Sequence, residues 1–340
     1  MPLRAFVNGA EMIAPAISEA EWEALRDSGA QVILPCCGSE GYLRRSPLGT
    51  AHFAHKRGAH CDAPGETIHH LKAKADIVIA CQRAGYAALT EVAGDDWRAD
   101  VLATRGSARI AFEVQWSFLR LDDAVYRQER YARDGVRGCW FFRNPPPQLR
   151  RGDDLKARQE LPLFHLWSNA DHSFSVTVNG HLHGLGEVVE ALLGGRIRYC
   201  QRARAARDQR LRLIPFEIAC PFCGRPTRVF YVEPRLIAGC GRGFALNESP
   251  YAFALRPEVL TAALPLLAGD PRLGSVTAEG FHCAACGRLL DERAVELALY
   301  GSNRLERAEA IEIALRLREP ITGGAAHWCF PADGAFCCAS

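Results

Sequence analysis

The chain has 340 residues, of which 48% are hydrophobic, and this is enough to fill two or three domain cores. Its formal net charge of +2 is too small to draw the whole molecule to a polyanion, so any affinity for nucleic acid must come from local clusters. No stretch approaches the roughly 18 apolar residues of a membrane span, and the first residues do not have the pattern of an export signal. We therefore expect a soluble, cytoplasmic protein with no membrane partner.

The amino-terminal part of the chain predicts a Cys/His module over residues 1–62, with two short strands and a helix near Ser18 to Arg26. A metal site built from Cys37, His52 or His55, and Cys61 is one interpretation of its second half. The cysteines Cys36 and Cys37 are adjacent, which is not the usual spacing of a zinc knuckle, so a packed module without metal remains the alternative.

Residues 63–150 predict a core with the element order α-β-β-β-α-β. The first helix has apolar residues at helical spacing and ends at Gly85, and three strand-like runs follow with breaks at Gly94 and Gly106. A second helix and an apolar strand complete the order before three consecutive prolines close it. Residues 151–212 predict an extension of this core and an arginine-rich linker helix, and residues 213–340 a zinc-binding region.

The second and third strands of the core carry acidic residues at alternate positions. In the third strand Glu113 and Gln115 lie opposite the apolar face, and a hairpin around Gly106 brings Asp100 of the second strand close to Glu113. Two such carboxylates make a hard-oxygen site for Mg²⁺ or Mn²⁺, which activates a water against a phosphodiester. The alternative is a hairpin whose polar face simply meets water.

Several short motifs appear in a fixed order along this region. They are HFAH at His52 to His55, E-T-x-x-H-x-x-x-K at Glu66 to Lys74, R-x-D-V at Arg98 to Val101, E-V-Q-x-S at Glu113 to Ser117, and R-x-x-x-Y at Arg127 to Tyr131. Together they resemble the competence protein CoiA-like nuclease family, a branch of the PD-(D/E)XK, restriction-endonuclease-like superfamily. We therefore expect a mixed α/β fold with a restriction-endonuclease-like core.

The resemblance implies that Glu66, His70 and Lys74 face the site from the first helix, and that Asp100 and Glu113 bind the catalytic metal. The position two residues after the glutamate is usually lysine in this class, whereas here it is Gln115, which can orient water but brings no charge. Lys74 is therefore our candidate for the missing cation. The alternative is that the helix presents only a solvated charged face.

Arginines outnumber lysines in this chain by 37 to four, and some of them form the candidate nucleic-acid contacts. Arg98 belongs to the second strand, and Arg127 and Tyr131, four residues apart on the second helix, either grip a phosphate or brace the site. Residues 196–212 carry seven arginines, among them Arg202 and Arg204, which could follow a phosphate backbone.

Fourteen cysteines in a chain of this length, several of them in C-x-x-C pairs, favour metal binding over disulfides. The sequence C-x-x-C-G-R occurs twice, and its thiols, Cys220, Cys223, Cys283 and Cys286, predict two zinc knuckles that share one structural Zn²⁺. The alternatives are buried free thiols, or a ligand set in which Cys240, or His327 with Cys329, replaces one knuckle. The 59 residues between the knuckles require an inserted subdomain.

The function predicted from these features is the metal-dependent hydrolysis of DNA, in uptake and recombination or in defence against foreign DNA. A non-catalytic DNA-binding or recombination-mediator protein on a degenerate nuclease fold is the first alternative. The second is a zinc-scaffolded interaction protein that recruits another nuclease. In the nuclease interpretation, the carboxyl-terminal zinc-binding region could hold DNA or a partner protein.

Overall fold

The structure is a computed structural model that describes residues 2–59, 61, 66–151, 154–300, 310–331, 336 and 338. The chain divides into two compact units, Met1–Tyr199 with Ala326–Gly334, and Cys200–Ala325 with Ala335–Ser340. The described residues form a mixed α/β fold with seven α-helices. None of these helices has the length and apolar character needed to span a membrane.

The amino-terminal part of the first unit is a five-stranded sheet in the order β2-β1-β3-β4-β5 with one helix. Its elements are β1 (Arg4–Val7), β2 (Ala10–Ile13), α1 (Glu19–Asp27), β3 (Val32–Ile33), β4 (Glu40–Arg45) and β5 (Ala51–His55). Ser18 begins α1 with a capping box to Glu21. The core of this part forms around Trp22 and Phe53, whose ring centroids lie 5.4 Å apart.

The rest of the first unit is built on a seven-stranded sheet in the order β14-β13-β12-β9-β8-β7-β6. The elements of this part of the chain are α2 (Ile68–Arg83), β6 (Ala87–Ala93), β7 (Arg98–Arg105), β8 (Ala108–Gln115), α3 (Leu121–Arg133), β9 (Arg137–Phe142), β10 (Arg150–Arg151), β11 (Asp154–Leu155), β12 (Leu163–Ser168), β13 (Phe174–Val178), β14 (His181–Gly184) and α4 (Leu185–Leu193). Strands β10 and β11 pair with each other outside this sheet. The elements from α2 to β9 have the predicted order α-β-β-β-α-β.

Helices cover both faces of this sheet, because its strands carry apolar side chains on both sides. Helices α2 and α4 pack with Phe112, Val114 and Phe141 on one face, and α3 packs with Ala111 and Trp140 on the other. Strands β6, β7 and β8 are antiparallel, whereas β8, β9 and β12 run parallel to one another.

The second unit contains a three-stranded antiparallel sheet in the order β17-β16-β22, together with short strands and helices. The remaining elements of the chain are β15 (Arg198–Arg204), β16 (Asp208–Ala219), β17 (Pro226–Val232), β18 (Arg235–Ile237), β19 (Gly243–Ala245), α5 (Pro250–Ala254), α6 (Pro257–Leu267), β20 (Val276–Thr277), β21 (Gly280–Phe281), α7 (Glu292–Tyr300), β22 (Ile311–Arg316) and β23 (Thr322–Cys329).

The predicted arginine-rich linker helix within residues 196–212 is wrong, since this segment forms β15 and the first part of β16. In β16 the side chains of Leu211 and Leu213 are buried, while Arg210 and Arg212, each directly before one of them, are exposed. This alternation has a period of two, which is the signature of a strand with one buried face. The density of arginines concealed this period when the segment was interpreted as a charged helix.

The regular alternation expected for β7 breaks at Asp100. Ala99 and Leu102 both belong to the core under α3, whereas Val101 and Ala103 belong to the core under α2. On the neighbouring strand the pairing skips Glu91, which has a φ of +55°. The carboxylate of Asp100 instead accepts a hydrogen bond of 2.9 Å from the backbone N–H of Val114 in β8. Asp100 therefore lies in an opening between β7 and β8, and not in a regular row of side chains on one face of the sheet.

The backbone at Glu91 is predicted to be strained, because a left-handed conformation costs a residue with a Cβ about 1–2 kcal/mol. We expect Glu91→Gly to be more stable than Glu91→Ala by about 1 kcal/mol, since both variants lose the carboxylate and only glycine relieves the backbone. The measurement is the free energy of unfolding of both variants in urea. An alanine variant at least as stable as the glycine variant would contradict a left-handed Glu91.

Candidate active site

The amino-terminal half of α2 carries the predicted stripe of polar residues. Thr67 begins the helix, and its hydroxyl accepts a hydrogen bond from the backbone N–H of His70. Glu66 Oε1 lies 3.1 Å from His70 Nδ1 and 2.6 Å from Lys74 Nζ. His70 Nε2 in turn lies 3.2 Å from Asp100 Oδ2. The stripe therefore meets the opening in the sheet, as the helical spacing of four residues allows.

Lys74 is a buried cation among acids, with 1% of its side chain exposed. It forms ion pairs with Glu66 of the helix entry and Glu91 of β6. Burial by itself would lower the pKa of Lys74, but the charges of Glu66, Asp100 and Glu91 together raise it above its ordinary value. The ammonium group is therefore positive at neutral pH and supplies a fixed charge beside Asp100.

The carboxyl group of Glu113 lies on the α3 side of β8. Arg127 forms an ion pair with it, and the hydroxyl of Tyr131 donates a hydrogen bond to it. Only 2% of the Glu113 side chain is exposed. This burial, together with the charge of Asp100, raises the pKa of Glu113 to about 8, although Arg127 and Tyr131 act in the opposite direction.

The two acids are neighbours that differ in protonation. Glu113 Oε1 accepts a hydrogen bond of 3.3 Å from the backbone N–H of Asp100, so the Glu113 carboxyl group touches the residue that fills the opening. Burial favours the neutral form of Asp100, but the contact with His70 and the charge of Lys74 outweigh burial and hold the pKa of Asp100 below its ordinary value. Without metal, the surroundings therefore favour the ionised form of Asp100 and the protonated form of Glu113.

The other predicted site residues occupy different positions around this pair. The side-chain amide of Gln115 donates a hydrogen bond of 2.9 Å to the backbone carbonyl of Ser117, so it extends along the chain. Arg98 Nε donates a hydrogen bond of 2.9 Å to Glu91 and keeps half of its side chain exposed. Tyr131 is fully buried. Of the two roles considered for Tyr131, this position supports bracing of the site and not contact with nucleic acid.

Within the described residues, the acids of this cluster do not bring three carboxylate or imidazole ligand atoms within 4.8 Å of one another. Their donors are nevertheless carboxylate oxygens, the ligand type that Mg²⁺ and Mn²⁺ prefer. Glu91 of β6 completes the cluster through its ion pair with Lys74, and its signal in the sequence was weaker than those of Asp100 and Glu113. The available signal was a single acid between Thr90 and Val92 in an otherwise apolar strand.

Aromatic and cationic side chains lie beside the end of β8. The rings of His69 and Trp116 stack at 5.3 Å with an interplanar angle of 7°, and the guanidinium of Arg143 lies 4.7 Å from the Trp116 ring. Phe118, two residues further along the chain, has 63% of its surface exposed. We call these four residues the aromatic surface. Their signal in the sequence was weak, since His69 and Arg143 are distant from Trp116 along the chain.

The four cysteines of the two C-x-x-C-G-R motifs meet in the second unit, and their sulfur atoms lie within 4.8 Å of one another. The distances from Cys220 to Cys286 and from Cys223 to Cys283 are both 3.7 Å. A tetrahedral zinc site with Zn–S bonds of about 2.3 Å separates its sulfur atoms by roughly 3.7–3.8 Å. The four thiols therefore fit Zn²⁺ without rearrangement.

The two knuckle loops have the same backbone structure. In each loop the N–H of the first cysteine bonds to the carbonyl of the arginine five residues later, and the N–H of the glycine bonds back to the carbonyl of that cysteine, all at 2.9 Å. The glycines, Gly224 and Gly287, have φ values of +69° and +68°, which explains why glycine follows each pair. A hydrogen bond from the Thr227 hydroxyl lowers the pKa of the Cys283 thiol to about 6, which favours the thiolate that zinc requires.

Arg202 and Arg204 project from β15 as exposed side chains. They belong to the second unit, whereas the acidic cluster belongs to the first. Their arrangement along a strand still offers charges to a polyanion.

The raised pKa of Glu113 predicts a pH dependence of stability in metal-free buffer. Between pH 5 and pH 8 the unfolded chain releases this proton while the folded chain keeps it, so the free energy of unfolding falls as the pH rises. Glu113→Gln should lose this dependence. A difference of one in pKa corresponds to about 1.4 kcal/mol. From pH 5 to pH 8 we therefore expect the free energy of unfolding of wild type to fall by at least about 1.4 kcal/mol more than that of the variant.

The measurement is urea unfolding of both proteins at several pH values, with Glu129→Gln at an exposed position of α3 as the control. The control should follow wild type. If the difference between wild type and Glu113→Gln is the same at pH 5 and pH 8, Glu113 does not carry the extra proton.

Comparison with known proteins gives one match. Residues 66–164 match the family described as competence protein CoiA, nuclease-like domain. No curated protein and no solved structure matches the chain. The matched residues begin at Glu66 and include Lys74, Asp100 and Glu113. Residues 66–164 are thus similar to the CoiA nuclease-like domain, and the expected resemblance to the competence protein CoiA-like family is confirmed.

Proposed function

We propose that this protein is a metal-dependent nuclease that hydrolyses phosphodiester bonds of DNA on a restriction-endonuclease-like core of the PD-(D/E)XK type. The observation that carries the proposal is the convergence of side chains from α2, β6, β7 and β8 on the opening at Asp100. A cluster of buried and partly buried acids around a buried lysine is costly to fold, and such clusters are typical of functional sites.

Each residue of the cluster has a role in this proposal. Asp100 and Glu113 would hold Mg²⁺ or Mn²⁺, which when bound activates water and stabilises charge on the phosphate. His70 and Glu66 orient Asp100 from the α2 side, and Arg127 and Tyr131 hold the Glu113 carboxyl group from the α3 side. Glu113 has to lose its proton to act as a ligand, so metal and proton compete for it.

Lys74 supplies the positive charge that Gln115 does not. Its ammonium group is held by Glu66 and Glu91 beside Asp100, and its burial strengthens its electrostatic effect on the site. Gln115 would position water only after its amide leaves Ser117.

DNA is the proposed partner, and Arg98, Arg127 and the aromatic surface are the groups nearest the acids that could contact it. The exposed ring of Phe118 and the Trp116–Arg143 pair suit unstacked bases, while arginines suit phosphates. Arg202 and Arg204 would add phosphate contacts from the second unit, whose zinc-binding region could also hold a protein partner. The family resemblance points to DNA uptake, recombination or defence, in the cytoplasm.

A second candidate function is DNA binding without cleavage. The observation that favours it is the environment of Glu113, which is buried, has a raised pKa and is bound by Arg127 and Tyr131, next to a Gln115 turned toward Ser117. A fold that had lost catalysis could keep these contacts as structure. Only an activity measurement separates the two candidates.

The test of the proposed function is a cleavage assay on single- and double-stranded DNA with Mg²⁺ or Mn²⁺. We expect wild type to cleave and Glu113→Ala to lose at least about a hundredfold in rate, because a group at the reacting centre is removed. Glu129→Ala makes the same substitution at an exposed position of α3 and should cleave like wild type.

Equal cleavage by wild type and Glu113→Ala would show that the acidic cluster is not the active site. No cleavage by any protein, with DNA binding retained, would make the non-catalytic binder the better conclusion.

Lys74→Met is predicted to lower kcat by about 10² to 10³ with little change in DNA affinity, because a buried cation acts on the transition state more than on binding. Lys72→Met is the matched control, since Lys72 lies on the same helix and pairs with Asp76 at 2.8 Å. Removing one partner of a buried ion pair destabilises a protein, so Lys74→Met/Glu91→Gln is measured as well. Wild-type kcat in both Lys74 variants would contradict the role of Lys74.

A further inference from the structure

The loop between β3 and β4 has the backbone of a zinc knuckle, although its sequence lacks the C-x-x-C pair. The N–H of Leu34 bonds to the carbonyl of Ser39 at 3.0 Å, and the N–H of Gly38 bonds back to the carbonyl of Leu34 at 2.8 Å. Gly38 has a φ of +67°. These are the hydrogen bonds and the glycine conformation of the two knuckles in the second unit.

The correspondence aligns this loop with the cysteine motifs position by position. The segment Leu34-Pro-Cys-Cys-Gly-Ser39 matches Cys220-Pro-Phe-Cys-Gly-Arg225. Cys37 therefore occupies the place of the second knuckle cysteine, and Leu34 the place of the first. Leu34 is fully buried in the core around Trp22, so a hydrophobic side chain has replaced a ligand. The extra thiol of the loop is Cys36, directly before Cys37.

The thiol of Cys36 lies close to three other possible metal ligands. Cys36 Sγ lies 3.8 Å from Cys37 Sγ, 3.6 Å from Cys61 Sγ and 3.6 Å from His55 Nε2, and Cys37 Sγ lies 3.3 Å from His55 Nε2. All four ligand atoms lie within 4.8 Å of one another. With bonds of about 2.3 Å to sulfur and about 2.0–2.1 Å to nitrogen, tetrahedral zinc requires S–S separations of roughly 3.7–3.8 Å and S–N separations of roughly 3.5–3.6 Å.

The two histidines of the HFAH motif, His52 and His55, have different environments. His55 ends β5 and turns its Nε2 toward the thiols, whereas His52 is fully buried and its Nδ1 lies 3.1 Å from the carbonyl of Thr50. Alternation along the strand places the two histidines on opposite faces, since they are three residues apart, and the contacts with Cys36 and Cys37 show that the face of His55 is the one with the thiols.

We propose that Cys36, Cys37, His55 and Cys61 bind a Zn²⁺ ion, and that Cys36 supplies the ligand lost from the first knuckle position at Leu34. The ion joins the β3–β4 loop, the end of β5 and Cys61, which closes a loop of chain between residues 36 and 61. It stabilises a part of the protein whose own core is small. Adjacent cysteines are thus compatible with a knuckle here, because only one of them occupies a knuckle position.

The first experiment measures zinc per chain in purified full-length protein. We expect Cys36→Ser/Cys61→Ser to contain about one zinc fewer than wild type, because it loses two of four ligands. His52→Gln is the matched control and should keep the wild-type content. Leu34→Cys/Cys36→Ser, which returns the thiol to the first knuckle position, should also keep it. Cys223→Ser/Cys286→Ser separately removes the zinc of the second unit.

Wild-type zinc content in Cys36→Ser/Cys61→Ser would overturn the proposal, and failure of Leu34→Cys/Cys36→Ser to bind this zinc would overturn the correspondence between the loops. A second measurement needs no variant. In folded wild type, Cys36, Cys37 and Cys61 have accessible positions, so an alkylating reagent followed by peptide mapping reports their state. We expect the three thiols to be protected from alkylation until a zinc chelator is added. Alkylation at the same rate with and without chelator, or a Cys36–Cys61 disulfide, would overturn the proposed site.

Discussion

The buried ion pairs of Lys74 are the interaction on which the nuclease-like domain depends. A lysine with 1% of its side chain exposed has lost nearly all of its hydration, and only nearby negative charges offset that cost. Glu91 belongs to the edge strand β6, so its ion pair with Lys74 joins α2 to the sheet, whereas Glu66 precedes α2 and joins the start of the helix to the same cation. The left-handed backbone of Glu91 is consistent with this role, because strain persists where surrounding contacts determine the conformation.

Near this cation, the carboxyl groups of Asp100 and Glu113 have different environments although they belong to neighbouring strands of one sheet. Asp100 enters the opening between β7 and β8, where Lys74 and His70 favour its ionised form, while Glu113 remains on the α3 side in a dry environment. Opposite displacements of the pKa of neighbouring acids are the usual way to assign different chemical roles to identical groups. In the proposed metal site the same arrangement would make occupancy by metal sensitive to pH, because Glu113 would have to give up its proton.

The cysteine loops show how one backbone structure tolerates different ligands. Three loops share the same two backbone hydrogen bonds and a left-handed glycine, and the β3–β4 loop differs from the other two in the positions of its thiols. A knuckle positions its ligands through backbone geometry, so a thiol moved by two residues still reaches the same region when a third and a fourth ligand come from elsewhere. His55 and Cys61 provide these ligands in the first unit, as the second knuckle does for Cys220 and Cys223.

The sequence by itself determined the features that depend on short-range periodicity and spacing. Alternating apolar residues, glycine breaks and the three prolines were enough for the order α-β-β-β-α-β, and the repeated C-x-x-C-G-R motif was enough for the Cys220 centre, because such a loop carries its own ligand geometry. The tertiary structure alone decided that Asp100 leaves the alternation of β7, that Lys74 is buried, and that Cys36, His55 and Cys61 meet. These depend on contacts between residues far apart in the chain, and no local period encodes them. The helix predicted within residues 196–212 is wrong for the opposite reason. The period of two that indicates a strand was present in the sequence, but the density of arginines led to its interpretation as a charged helix.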